Sequence, residues 1–243
     1  ANSNPFTISL GAHQVYDIYV RDSCGTGNVS LWTGPVTVTM PCGISTLPYS
    51  ENFDGALWIS GFGGNNAANN ISSCWTKPTN ANPNFGTRNG PTASVGTGPN
   101  NDFSGNGNYL YTEASGAAGA GRITSPQIAM TANIASPALK FYYHMYGAGV
   151  DSLYVEVYDG SGWTQIYSVV GAQQNANTDP WILVEQSLVA YAGDTIQLRF
   201  TGVNSAFTGD IAIDEVSIEN IACPQSSNFI VTCISNTSID LYW

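Results

Sequence analysis

Short runs in which apolar and polar residues alternate recur along the chain, and a period of two fits a pleated strand far better than a helix. In VYDIYV, Val15, Asp17 and Tyr19 alternate with Tyr16, Ile18 and Val20. The pattern returns in GPVTVTM, GNYLYTEAS, ALKFYYHMYG, DSLYVEVYDG, GWTQIYSVVG, WILVEQSLVAY, DTIQLRFTG and DIAIDEVSIE, with Gly, Pro, Asn or Asp at most of the breaks. Many short strands punctuated by turn residues predict an all-β sandwich or barrel. Long amphipathic helices draw on Lys, Arg, Glu, Leu and Ala, and a chain with 26 Gly and only six Lys and Arg is poorly supplied for them.

Residues 61–108 break the pattern, being rich in Asn and Gly and without a period, which predicts an irregular connection and no regular elements. A loop of that length inside a compact domain needs tethers. Cys74, Trp75 and Phe85 are the candidates for anchoring it to a core, and a metal at Asp102 could hold its far end.

The charge balance excludes whole classes of partner. A net charge of -11 is opposite to what DNA, RNA or an anionic membrane requires. No apolar run reaches the roughly 18 residues that suggest a membrane-spanning helix. The five cysteines form no C-x-x-C pair, and with few charges and many Asn and Thr they suit an exported, disulfide-bearing chain.

Catalytic signatures are missing from the sequence: no G-x-S-x-G elbow, no H-E-x-x-H helix and no P-loop. His13 and His144 are the only histidines, and His144 within FYYHMYG reads as a strand residue with a structural role. A non-catalytic protein is expected. Among the aromatics, Trp163 after the turn DGSG is the best candidate for stacking on a sugar, while most of the others read as core.

The acidic residues are distributed unusually. Asp210, Asp214, Glu215 and Glu219 crowd one strand-like segment, although carboxylates are poor strand formers and repel one another. Alternation puts Asp210, Ala212 and Asp214 on one face and predicts that Val216 and Ile218 continue it, so that Asp214 meets an apolar layer. A carboxylate there must be protonated or paired with a cation. Calcium suits a set of hard oxygens in flexible geometry better than magnesium, which demands a stricter octahedron. Asp54, Asp102, Asp214 and Glu51 are the candidate metal ligands, with carbonyls from DFSGNGN; solvated surface acids are the alternative.

Residues 46–222 resemble the MAM domain, the extracellular module of meprins, neuropilins and certain receptor tyrosine phosphatases. The likeness is carried in order by ENFDGALW, DFSGNGNYLYTEAS, GRITSPQI, LKFYYHMYG, LYVEVYDGSGW and GDIAIDEVSI. It implies a jelly-roll-like sandwich of two antiparallel sheets, first and last strands side by side, and a structural cation near Asp54 and Asp214. Glu51 stands where animal members have a Cys, so their disulfide pattern does not carry over.

Residues 1–42 resemble the last three strands of a fibronectin type III domain and residues 223–243 its first two, which makes both flanks incomplete sandwiches. This resemblance implies that Cys24 and Cys223 each pair within the missing half of their module, leaving Cys42 to bond Cys74 and Cys233 free; five unpaired thiols are the alternative. The whole looks like a slice of a large secreted surface protein of the kind made by Bacteroidota, cut from an array whose period exceeds this chain. The expected function is a calcium-stabilised adhesion or structural repeat at the cell surface. Its expected partners are neighbouring repeats, surface glycans or proteins, without nucleic-acid binding or membrane insertion. The alternative is a carbohydrate-binding accessory module of a secreted hydrolase.

Overall fold

The computed structural model describes residues 7–8, 15–23, 25–39, 42–61, 71–72, 74–78, 83–114, 118–131, 134–221, 230–234 and 239–242. Among these the chain is built of strands, with a single 3-10 turn at Val189–Tyr191. No helix among the described residues is long and apolar enough to cross a membrane.

Two six-stranded sheets face each other in a jelly-roll-like sandwich. One sheet runs in the order β11 (Trp163–Val170), β10 (Val150–Tyr158), β13 (Thr195–Asn204), β8 (Ile128–Ala129) and β3 (Ser45–Thr46), with β7 (Gly119–Thr124) also on β13. The second runs β12 (Ile182–Ser187), β9 (Pro137–Tyr146), β14 (Asp210–Asn220), β6 (Asn108–Glu113) and β5 (Asn84–Asn89), with β4 (Tyr49–Glu51) also on β14. Pairing is antiparallel throughout, apart from the two-residue parallel contact of β3 with β8.

Alternation builds the core. Leu153, Val155 and Val157 of β10 and Ile196, Leu198 and Phe200 of β13 face Leu139, Phe141 and Met145 of β9 and Ile211 and Ile213 of β14, all fully buried. Phe141 meets Phe200 edge to face at 5.3 Å, which ties the two sheets together.

Among the described residues of 61–107, β5 is a regular element after all. β5 carries Phe85 and Thr87 inward and pairs with β6 from Asn84↔Glu113 to Asn89↔Asn108. Its Asn and Gly content hides it from propensity; a ready partner edge and two buried side chains decide the matter. Trp75 and Phe85, the apolar anchors expected in this segment, are buried at 2% and 0% exposure.

Two further hairpins form separate two-stranded sheets: β1 (Val15–Val20) with β2 (Thr33–Thr39), and β15 (Ile230–Ile234) with β16 (Ile239–Tyr242). Cys24 and Cys223, whose pairing the sequence addressed, lie outside the described residues, as does the side chain of Cys233. Cys42 and Cys74 are joined by a disulfide.

A carboxylate cluster at the β14 bulge

β14 changes partner along one edge. Ile211, Ala212 and Ile213 pair with β6, whereas Val216, Ser217 and Ile218 pair with β4. Between the two stretches its register against β9 slips, and Glu215 takes a left-handed φ of 50°. The first strand of this sheet, β4, therefore lies beside the last, β14, and the gap between β4 and β6 opens opposite the bulge.

The bulge corrects the face assignment expected from simple alternation. Val216 and Ile218 join Ile211 and Ile213 in the main core, so Asp214 does not share their face. An extra residue reverses the parity of a strand. Asp210, Ala212 and Asp214 instead face outward under a second layer made by loops, where Phe103 stacks on Tyr142 at 3.7 Å and Trp181 packs on Tyr109.

Asp214 is 1% exposed. Its Oδ2 accepts the Phe103 N–H at 2.8 Å and its Oδ1 the Glu215 N–H at 2.8 Å. Burial nonetheless pushes its pKa up to about 8, against these two hydrogen bonds, with the charges of Glu215 and Asp102 adding to the rise. Asp102, 6% exposed, is bonded by the N–H and hydroxyl of Ser104. Asp54 accepts the Asn108 N–H at 2.6 Å and the Asn52 amide at 3.1 Å. Glu51 lies opposite Val216 and accepts the Phe53 N–H at 2.9 Å; burial raises its pKa, and Asp54 contributes to the rise.

The four acids singled out in the sequence thus sit within electrostatic reach of one another through a fifth that was not singled out. Glu215 is raised by burial and then by Asp54 and Asp102 together. Its role was hidden because strict alternation sends it to the opposite face, and only the bulge returns it to the cluster. None of the five is in an ion pair among the described residues; Lys140 is engaged by Glu185 and Glu219, and Arg199 by Glu156. Among the described residues, the two non-glycine residues with positive φ are Glu215 of the cluster and Phe53, at 61°, beside Asp54. Each such conformation costs on the order of 1–3 kcal/mol and persists where the surroundings enforce it.

In donor chemistry the cluster suits a hard cation through the carboxylates of Asp54, Asp102, Asp214, Glu51 and Glu215, and no cationic side chain pairs with them among the described residues. Its side chains do not form a ready-made shell, because no three His, Cys, Asp or Glu groups among the described residues are arranged to hold an ion.

Gly107 lets the β6 loop close over Asp54, since a Cβ there would run into the Asp54 carboxylate. Gly107→Ala is expected to cost about 1–3 kcal/mol by overpacking, read as a lower urea midpoint with an unchanged slope. An unaltered midpoint would mean that the loop yields freely.

Trp163 is the first residue of β11 and half-buried. The Arg199 guanidinium lies 3.9 Å over its ring and is held there by two 2.7 Å hydrogen bonds to Glu156. His144 is fully buried and 5.7 Å from Trp181, and burial lowers its pKa to about 4.

Residues 67–224 match the family model of the MAM domain, meprin/A5/mu. Neuropilin-1a of Danio rerio is 28% identical over 202 residues, which cover 80% of this chain and 20% of that protein. The MAM domain-containing glycosylphosphatidylinositol anchor protein 1 of Gallus gallus is 33% identical over 144 residues, 56% of this chain and 14% of that protein. The chain thus spans a fifth or less of the length of these relatives. Among solved structures, the C-terminal family 22 carbohydrate binding module of Clostridium thermocellum Xyn10B aligns with 72% of this chain and 92% of its own at 16% identity and a TM-score of 0.39. The K3 cleaved adhesin domain of Lys-gingipain from Porphyromonas gingivalis aligns with 55% and 90% at 14% identity and a TM-score of 0.35. At those scores neither neighbour transfers a ligand or a site.

Proposed function

This chain belongs to the MAM domain family, and from that membership we propose that it is a non-catalytic adhesion or structural module of a secreted or cell-surface protein, stabilised by calcium. The observation that carries the reading is the family match over 67–224, to which the fold adds β3 and β4 on the N-terminal side. Relatives named for a glycosylphosphatidylinositol anchor agree with a position outside the cell. The only imidazole of the sandwich is buried and kept neutral, which suits a structural group better than a general base.

Calcium would be held by Asp54, Asp102 and Asp214 with Glu215, and Glu51 flanking. The ion would supply the positive charge that this partly buried cluster lacks among the described residues. It would hold together the loop after β4, the loop before β6 and the bulge of β14.

The flanking hairpins are read as incomplete fibronectin type III-like modules of a longer surface protein. In support, the N-terminal hairpin leaves Leu31, Trp32 and Val36 exposed at 90%, 59% and 63%, more apolar surface than an isolated hairpin tolerates well. The competing reading, a carbohydrate-binding accessory module working through Trp163, asks that ring to give up Arg199.

Beads coated with the chain should cluster with one another, or with beads carrying the longer parent protein, in millimolar calcium and disperse on chelation. Beads that remain dispersed at every coating density would count against adhesion through neighbouring repeats.

A further inference from the structure

We propose that Asn106, in the loop before β6, is a site of spontaneous deamidation, and that the product loosens the closure of this loop over Asp54. The assignment goes beyond the surface-module reading and needs no bound metal. The chain has two Asn-Gly pairs, Asn89–Gly90 and Asn106–Gly107. In such a pair the glycine nitrogen can attack the Asn side-chain carbonyl carbon, because no Cβ on the second residue obstructs the approach. The new C–N bond closes a succinimide, and the side-chain nitrogen leaves as ammonia with the glycine N–H proton. Water then opens either carbonyl of the ring. One opening gives aspartate; the other gives isoaspartate, in which the main chain runs through the side-chain methylene.

The fold holds one of the two pairs and leaves the other free. Asn89 closes the β5–β6 ladder opposite Asn108. Its N–H donates to Ser60 Oγ at 2.9 Å, and its side-chain amide donates to the Gly107 carbonyl at 2.8 Å.

Asn106 is exposed, and its side chain has no hydrogen bond among the described residues. Gly105 before it has a left-handed φ of 94° with open space around it. The Gly107 N–H donates to nothing among the described residues, so the attacking nitrogen is not tied down. An exposed side chain between two glycines changes rotamer quickly and reaches the geometry of attack without first breaking a bond.

The next peptide unit is clamped on both sides. Between Gly107 and Asn108 the C=O accepts from Asn89, and the N–H donates to Asp54 Oδ1 at 2.6 Å. A Cβ at Gly107 would already run into the Asp54 carboxylate, so the loop has no slack at this point. Isoaspartate at position 106 inserts a main-chain carbon directly before the clamp. Either product also replaces a neutral amide by a carboxylate close to Asp54, where like charges repel. Each change works against the two hydrogen bonds that close the loop.

The test ages the intact chain at mildly alkaline pH, folded in calcium and separately unfolded in urea, and follows both Asn-Gly pairs by peptide mapping with isoaspartyl methyltransferase labelling. In the folded chain, reaction at Asn106 should outpace that at Asn89 by about tenfold, the equivalent of one hydrogen bond that Asn89 must first give up. In urea the two should react alike. The aged protein should unfold at a lower urea midpoint than fresh protein, whereas Asn106→Gln, whose longer side chain cyclises far more slowly, should keep its midpoint on ageing. The assignment is overturned if the folded chain modifies Asn89 as fast as Asn106, or if Asn106 survives in the folded chain under conditions that modify it in urea. It is equally overturned if modification at position 106 leaves the midpoint unchanged, or if Asn106→Gln loses as much on ageing as the parent does.

Discussion

In the presence of a chelator, the melting temperature is expected to fall between pH 6.5 and pH 8, and added calcium should abolish most of that fall. The sign follows from Asp214. Its folded pKa is pushed up to about 8 by burial, whereas the unfolded carboxyl titrates near its ordinary 3.8. The folded state thus holds a proton that the unfolded state has lost, and stability drains away as pH rises through that window. Asp210, raised to about 6 chiefly by burial, acts in the same direction at lower pH. His144 acts oppositely: with its folded pKa lowered to about 4, it contributes stability that is lost as pH falls from 6.5 towards 4.

Above pH 6.5 Asp214 is the main contributor, and a slope of about 1.4 kcal/mol per pH unit gives a loss of about 2 kcal/mol by pH 8. Calcium competes with the proton and favours the folded state by about 2.7 kcal/mol at a hundredfold excess over Kd. Calcium binding alone should separate the calcium-loaded and chelated melts at pH 8 by about 5–10 °C. Asp214→Asn should flatten the chelated pH dependence and remove most of the response to calcium. Identical melts at pH 6.5 and pH 8 in chelator would refute the burial argument; identical melts with and without calcium would refute the metal.

Removing the disulfide should cost about as much. Cys42 and Cys74 are 32 residues apart, for which the loop-closure estimate is about 3–4 kcal/mol. The paired substitution Cys42→Ala with Cys74→Ala is therefore expected to lower the melting temperature by about 10 °C. The bond secures two weak attachments. On one side β3 and β4 hold the sandwich through only two and three residues. On the other, Thr76 and Thr124 exchange backbone hydrogen bonds of 2.9 and 2.8 Å beside the buried Trp75. If the oxidised protein and the double variant melt together in scanning calorimetry, β3, β4 and the Trp75 segment hold without the bond.

The long strands were legible because their buried faces are written with a period of two. Leu139, Phe141, Tyr143 and Met145, like Leu153, Val155 and Val157, announce both the strand and the side that packs. β3, β4, β5, β7 and β8 were not legible as strands. They are short or rich in Asn, Gly and Ala, and they exist because a longer strand offers an edge to pair with.

The candidate site divides in the same way. That acids were gathered at Asp210–Glu219 in a chain poor in bases could be seen from composition and position alone. By itself the amino-acid sequence determined the sandwich architecture, the core faces of its principal strands and the excess of acid without base, since each depends on local periodicity or simple counting. Which acids meet was decided only by the tertiary structure. The bulge at Glu215 reverses the parity of β14, turns Val216 and Ile218 into the core and leaves Asp214 beneath Phe103 and Tyr142. It also opens the gap between β4 and β6 that brings Asp54 and Asp102 to Glu215. A one-residue slip follows from competition between pairing partners across the sheet, and that competition leaves no mark on the strand's own residues.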